Sequence, residues 1–293
     1  IDKFHQRGIH VGLCIDPTEG FYPHEQYYKQ ASEFLGVSDN KIILFDPLNP
    51  KILDVWFKAF LHPLENYGID FFWNDYRGTS DPTNLWTTNH YLYLDSGRNS
   101  ARRSMILARN GIYAPHLYPV LYGGSSEVSW EALKKLPFQY LNAANIGVSW
   151  WSHDVGGNHG GIEESELYIR YLELSVYSPI LRFHGARGPY YKREPWLWDV
   201  KTENIAADYL RLRHRLIPYL YTEAYNYTKS GTPLIQPFYY NYLWVYDDEH
   251  YKNQYYFGSQ LLVCPILDKK DPTMNRTVHR FFIPDGIWYD FRT

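Results

Sequence analysis

The sequence predicts an α/β fold: a (β/α)8 barrel that lacks its first strands in this chain, followed by the start of a C-terminal β-domain. Three observations predict it. Short apolar runs alternate with stretches of helical spacing in about six units before Thr232. The runs are apolar on both faces, as in a parallel sheet covered by helices. After Thr232 the helices stop and apolar runs are separated by turns alone. A doubly wound sheet is the competing architecture. No glycine-rich phosphate loop follows any of the runs, which speaks against it. The expected division is a partial barrel over residues 1–232, then the barrel edge and proximal β-domain over 233–293.

In chain order, "IHVGLCID" (Ile9–Asp16) is a short apolar run closed by Asp. "PHEQYYKQASEFLG" reads as a helix closed by Gly36. "KIILFD" (Lys41–Asp46) is expected to be a second strand. "NPKILDVWFKAFLHPLENYG" has helical spacing, with Ile52, Val55, Trp56 and Ala59 on one face and a stop near Gly68. "IDFFWND" follows as a strand. "SARRSMILARNG" has a helix behind it and "SMILAR" as its strand. Next come a helix in "SWEALKKLPFQYLNAANIG", a strand in "VSWWSHD", a helix in "SELYIRYLELSVYSPI" and a strand in "LRFHG". "NIAADYLRLRHRLIPYLYTEAYNYTKSG" reads as one long amphipathic helix ending at Gly231. "LIQPFYYNYLWV", "QYYFGSQLLVCPIL" and "RFFIPDGIWYDF" are the expected strands of the β-domain.

Composition narrows the function. The chain has 293 residues, 45% hydrophobic and 21% charged, enough for one large domain or a domain and a half. A net charge of −3 offers no electrostatic case for nucleic acid or an anionic membrane surface. No apolar run approaches the length of a membrane span. The opening "IDKFHQRGIHVGLCID" has no charged-then-apolar leader and no initiator Met, so the chain is expected to be a fragment. Cys14 and Cys264 sit in apolar contexts and read as two buried thiols, which favours the cytoplasm. Aromatics reach 18%, with 29 Tyr and 10 Trp. They build either a bulky core or a cleft whose ring faces stack on sugars.

The chemistry sits at the strand ends. In a parallel barrel the active site lies at the C-terminal ends of the strands. Read there, the chain offers Asp16, Asp46, Asp75, Arg109, Asp154 and His184. Asp16 and Asp46 are each followed by Pro, so a cap or turn role competes with a functional one. Asp75 follows Trp73 and precedes a long polar loop. A carboxylate beside a Trp is what a glycosidase uses to attack or stabilise an oxocarbenium-like centre. "SHDVGGNHGG" holds His153, Asp154 and His159, a conceivable metal set, but no paired spacing supports it and a structural role is expected. "GGNHGG" itself reads as a flexible loop.

"GIDFFWNDY" resembles the nucleophile strand of glycoside hydrolase family 31, the α-glucosidases and α-xylosidases. "LFDPLNP" is similar to the strand before it. "RSMILARNG" resembles the strand with a substrate-binding Arg, "WWSHDVGG" a family signature, "SPILRFHG" the strand with a sugar-binding His, and "YYKREPW" the segment after it. "FGSQLLVCPIL" and "IPDGIWYDF" are similar to the proximal C-terminal β-domain. The resemblance covers essentially the whole chain. It implies a barrel followed by β-domains, action on terminal α-linked sugars with retention, an oligosaccharide or α-glycoside substrate, and no metal or cofactor. It implies Asp75 as nucleophile, Trp73 as a wall of the first sugar subsite, Arg109 and His184 as holders of sugar hydroxyls, and Asp154 as a site-lining Asp. Asp46 and Trp151 fall one layer further out. The Trp73 position fits α-glucosidase-like members better than xyloside-active ones, which carry Lys there.

One position departs from the family. Retention needs a second carboxyl group that protonates the leaving oxygen and then activates water. Members place it after the Arg strand. In the matching stretch "LYGGSSEVSWEAL" (Leu121–Leu133) that position is Ser125, whose hydroxyl cannot serve as a general acid near neutral pH. Glu127 is either a substitute acid or a solvated, first-turn charge of the following helix. The expected function is therefore a retaining exo-acting α-glycosidase. A carbohydrate-binding or acid-disabled relative and an α-transglycosylase are the alternatives. The terminal sugar (glucose, xylose, galactose or N-acetylgalactosamine) and the oligomeric state are left open.

Overall fold

A computed structural model describes residues 1–38, 40–77, 81–99, 102–109, 111, 113–118 and 120–291. Ser100, Ala101 and Asn110 of the "SARRSMILARNG" segment, and Gly78, lie outside these residues. The chain divides into two units, Ile1–Gly124 with Trp150–Ser152, and Ser125–Ser149 with His153–Thr293.

The first unit carries five parallel strands: β1 (Gly12–Ile15), β2 (Phe71–Asn74), β3 (Ile106–Arg109), β4 (Val120–Tyr122) and β5 (Trp151–Ser152). Their order in the sheet is β1-β2-β3-β4-β5. A doubly wound sheet reverses its strand order at a switch point. This sheet never reverses, so it is the sequential sheet of a (β/α)8 barrel. β4 escapes the sequence reading. It is three residues long, too short for periodicity to register.

Helices α1 (Asp2–His5), α2 (Tyr28–Leu35), α3 (Pro50–Val55), α4 (His62–Asn66) and α5 (Pro82–Ser96) complete the unit. α2 stops where Gly36 turns left-handed at φ 64°. Asn49 caps α3 by accepting from Lys51 N at 3.0 Å, and Asp81 caps α5 by accepting from Thr83 N at 2.8 Å. Between α3 and α4 the helix widens into a π-helical turn (Trp56–Leu61) ahead of Pro63, which lacks an amide hydrogen to donate. The expected apolar face holds: Ile52, Val55, Trp56 and Ala59 are all buried.

"KIILFD" does not form a parallel strand. Ile43 pairs antiparallel with Phe21, in an isolated bridge. Phe45 packs edge-on against Phe21, Trp56 and Tyr76. An apolar run this short satisfies its backbone wherever a partner edge lies, and here the edge is local. Cys14 also departs from expectation: it lies exposed, and Cys264 is half-buried.

The second unit contains α6 (Trp130–Asn145), α7 (Ser165–Val176), α8 (Val200–Arg215), α9 (Ile217–Ser230) and an antiparallel sheet. That sheet runs β6 (Ile235–Pro237), β7 (Tyr255–Phe257), β8 (Leu261–Val263) in chain order. The single long helix expected before Gly231 is two, because Pro218 cannot donate to the preceding turn. Gly231 ends α9 at φ 74°, as expected. "LRFHG" yields only a parallel bridge between Phe183 and Val155. "RFFIPDGIWYDF" forms no strand among the described residues. Phe282 instead exchanges both backbone hydrogen bonds with the Gln254 side chain, at 2.7 and 2.8 Å. Among the described residues no helix is long and apolar enough to cross a membrane. The tyrosines divide between core and surface: Tyr122, Tyr140, Tyr168, Tyr171 and Tyr255 are fully buried, whereas Tyr67, Tyr221 and Tyr289 are exposed.

Candidate active site

In the first unit, strand alternation divides the residues of "FFWND" between two faces. Phe72 and Asn74 point into the core. Asn74 donates to Asn89 on α5 at 2.8 Å, and both amides are buried. Trp73 and Asp75 therefore share the opposite face. Asp75 N donates to Ile15 O at 2.9 Å, so the strand pairing runs one residue past β2 and holds Asp75 at the sheet's C-terminal edge.

β3 ends on Arg109. Its Nη1 donates to Asp75 Oδ1 at 2.6 Å, and neither side chain is more than 20% exposed. A charge-assisted bond this short, partly withdrawn from water, holds the Asp75 carboxyl in a fixed orientation. The Arg109 guanidinium lies over the Tyr122 ring at 5.6 Å, and Trp73 meets the same ring edge-on at 5.2 Å. Tyr122 at the end of β4 is thus the post that both flank. The Trp151 indole lies directly against the Gly123 backbone, in space that any side chain at 123 would occupy. Its buried Nε1 makes no hydrogen bond. Asp46 is exposed and accepts from Leu48 N at 3.0 Å, closing a turn before α3.

In the second unit, three segments named from the sequence come together. Ser126 O accepts from Asn158 N at 2.7 Å, and Val128 N donates to His159 O at 3.0 Å. On the other side Val155 N donates to Arg182 O at 3.1 Å, and Ala186 N to Asn158 O at 2.8 Å. The segment around 154–161 is therefore a strap laced on both sides, not a flexible loop. Its glycines are there for close approach. A Cβ on Gly157 would stand 2.7 Å from Glu127 O, at φ +80°. Arg193 fastens the strap: Nε donates to Gly157 O at 3.0 Å, and Nη2 pairs with the buried Glu163 at 2.7 Å.

Asp154 is fully buried, and Arg182 Nη2 donates to its Oδ1 at 2.6 Å. His153 turns the other way, hydrogen-bonded to Tyr140 Oη and Ser175 Oγ. Burial, reinforced by the Arg182 charge, pushes it down to about 3, so the ring is neutral. His153 is a core side chain, as expected. His184 is half-buried beside the bridge at Phe183. Ser125 is exposed, three residues past the end of β4. Glu127 is not a first-turn charge. Ser129 caps α6, Glu131 is the acid of its first turn, and Glu127 is exposed, in a parallel bridge with His159. Sequence reasoning missed Arg77 and Arg182, the partners of the acids. Each is a cation close in the chain to a functional candidate, and that proximity was the available signal.

The strap predicts a stability effect. Gly157→Ala should destabilise the protein by roughly 2 kcal/mol, from left-handed strain and the clash with backbone. The thermal midpoint should then fall by roughly 4–8 °C. An unchanged melt would mean that the strap is not seated on Glu127.

A family model described as the glycosyl hydrolases family 31 TIM-barrel domain matches residues 1–223, and one for the family's C-terminal domain matches 231–293. The chain is 31% identical over 198 residues to neutral alpha-glucosidase C of Mus musculus, covering 65% of this chain and 21% of the relative. It is 27% identical over 295 residues to an alpha-xylosidase of Emericella nidulans, covering 90% of this chain and 37% of the relative. The cycloalternan-degrading enzyme from Trueperella pyogenes superposes with a TM-score of 0.76 at 21% identity, over 92% of this chain and 43% of that one. The chain thus spans less than half the length of these relatives.

Proposed function

Because the chain belongs to glycosyl hydrolase family 31, we propose that it acts as a retaining, exo-acting α-glycosidase on terminal α-linked sugars of oligosaccharides, with the barrel over 1–232 and the β-domain over 233–293. The Arg109–Asp75 pair at the C-terminal edge of neighbouring strands carries this reading. A carboxylate oriented by an arginine at a barrel's functional face suits attack on an anomeric carbon.

In this reading Asp75 Oδ forms a bond to the anomeric carbon as the leaving group departs. Water later displaces the carboxylate with net retention. Trp73 walls the first sugar. Arg109, Asp154 and His184 hold its hydroxyls, with Trp151 and Asp46 as supports. Ser125 stands at the acid/base position, and Glu127 is the candidate substitute acid. The thiols of Cys14 and Cys264, neither in a disulfide, fit the reducing cytoplasm.

Ser125 favours a second reading: a relative with a disabled acid step, reduced to sugar binding or to activated donors. A third, transglycosylation, uses the same residues with a sugar as acceptor. A panel of α-glycosyl fluorides beside the matching disaccharides tests all three. Fluoride leaves with little protonic help, so the fluorides probe Asp75 alone. Turnover of one fluoride names the sugar. Disaccharide turnover shows a working acid, and a sugar-elongated product shows transfer. Silence across the panel with sugar still bound overturns the enzymatic reading.

A further inference from the structure

The two oxygens of Asp75 face two different cations. Oδ1 accepts from Arg109 Nη1 at 2.6 Å. Oδ2 stands 3.6 Å from Arg77 Nε. Arg77 is not committed to Asp75 alone. The same Nε donates to Asp16 Oδ2 at 3.0 Å.

The surrounding contacts fix this sharing. Arg77 N donates to Thr18 Oγ1 at 2.9 Å. Thr18 in turn bonds Asp16 Oδ1 through its hydroxyl and, at 3.1 Å, through its amide. The turn after β1 and the turn after β2 are thereby stitched together, 61 residues apart in sequence. The Asp16 carboxylate is the main attraction that raises the Arg77 pKa, and Asp75 is a lesser one. The charged or titratable groups facing Arg77 are Asp16 and Cys14 from the β1 side and Asp75 from its own. Those facing Asp75 are Arg77 and, from β3, Arg109.

We propose that Arg77 is a positioning residue for Asp75, and that Asp16 sets how much of its charge Asp75 receives. The proposal rests on the reading of Asp75 as nucleophile. In the first step Asp75 Oδ bonds to the anomeric carbon while the carbon–fluorine bond of a glycosyl fluoride breaks, and fluoride leaves with the electron pair. In the second, water oxygen bonds to that carbon, and the carbon–Asp75 bond breaks. The electron pair returns to the carboxylate and the water's proton passes to solvent. A cation beside Oδ2 weakens the carboxylate as nucleophile and improves it as leaving group. The ester has no charge, yet Arg77 is not stranded when it forms, because Asp16 stays its closer partner. Asp16 is thus the counter-ion that lets one arginine serve both steps.

The test measures the fraction of protein carrying a glycosyl group, by intact-mass spectrometry during turnover of the preferred α-glycosyl fluoride, together with kcat and KM. Arg77→Gln should slow the second step roughly two- to fivefold. The covalent fraction then rises, and kcat and KM fall together. Asp16→Asn frees Arg77 for Asp75 and should shift the covalent fraction the opposite way. Arg77→Lys should restore the wild-type partition. A purely structural role would lower activity in all three variants without opposite shifts in the covalent fraction, and that result overturns the proposal. Variants with no shift at all overturn it equally. Wild-type protein that forms no adduct on Asp75 with any fluoride removes the nucleophile reading itself, and this proposal with it. Thermal melts confirm that each variant is folded.

Discussion

Asp75→Asn should lower turnover of the preferred α-glycosyl fluoride by roughly 10⁴-fold or more, on the scale that loss of an attacking group costs other enzymes. Asn matches Asp in shape but cannot form a stable glycosyl ester. Arg109 keeps an oxygen to bond, so the Oδ1 contact survives in weaker form. The variant should therefore stay folded and still bind sugar, with the loss concentrated in kcat. A 5-fluoro glycosyl fluoride slows the second step and should leave one added glycosyl mass on the peptide containing Asp75. An adduct on another peptide, or an Asp75→Asn variant as active as the parent, would remove Asp75 from the mechanism. The Trp73 face offers a parallel check on substrate, since Trp73 and Asp75 share one side of β2. A donor with a bulky apolar pyranose face should be preferred over a small one.

The sequence made Asp75 legible because two signals coincided there. A run apolar on both faces marks a buried parallel strand, and its abrupt polar end marks the strand's C-terminal edge. The same logic found Arg109, but it failed at Asp46, which ends no parallel strand and closes an exposed turn instead. Helix ends at Gly36 and Gly231 were legible because left-handed backbone selects glycine locally. What stayed hidden depends on contacts between distant segments. "KIILFD" has a strand's composition, but its partner Phe21 lies on an antiparallel neighbour, and hydropathy does not report direction. "GGNHGG" has a linker's composition, yet its glycines serve close approach to Glu127 and Val128, which only the fold reveals. Glu127 resembled a helix-start charge until the cap was located at Ser129. The Asp16–Arg77 pair joins two turns that no local pattern connects. Motif reading thus located the acids and Arg109, and the structure added Arg77, which bonds Asp16 and stands 3.6 Å from Asp75, and Arg182, which holds Asp154.

Ser125→Asp should raise turnover of the matching disaccharide by about 10²- to 10⁴-fold, the range a positioned proton donor contributes. Fluoride turnover should change far less, because fluoride leaves without a proton. The contrast isolates the acid step from the attack by Asp75. Ser125 is exposed, and Gly124 before it adopts φ +94°, so the longer side chain meets no packed core at this turn. Azide gives an independent check in the parent protein. It attacks the glycosyl-Asp75 ester without needing a base, so it should speed release wherever that step limits turnover, and Ser125→Asp should blunt the gain. If the parent already cleaves disaccharides, the proton comes from elsewhere. Glu127→Gln should then abolish that activity while sparing the fluoride. The Glu127 backbone is pinned by the His159 bridge, so only its side-chain torsions remain to carry the carboxyl toward a leaving oxygen. A working Glu127 would therefore be a fixed donor with a short reach, and it should discriminate between linkages more sharply than Ser125→Asp does.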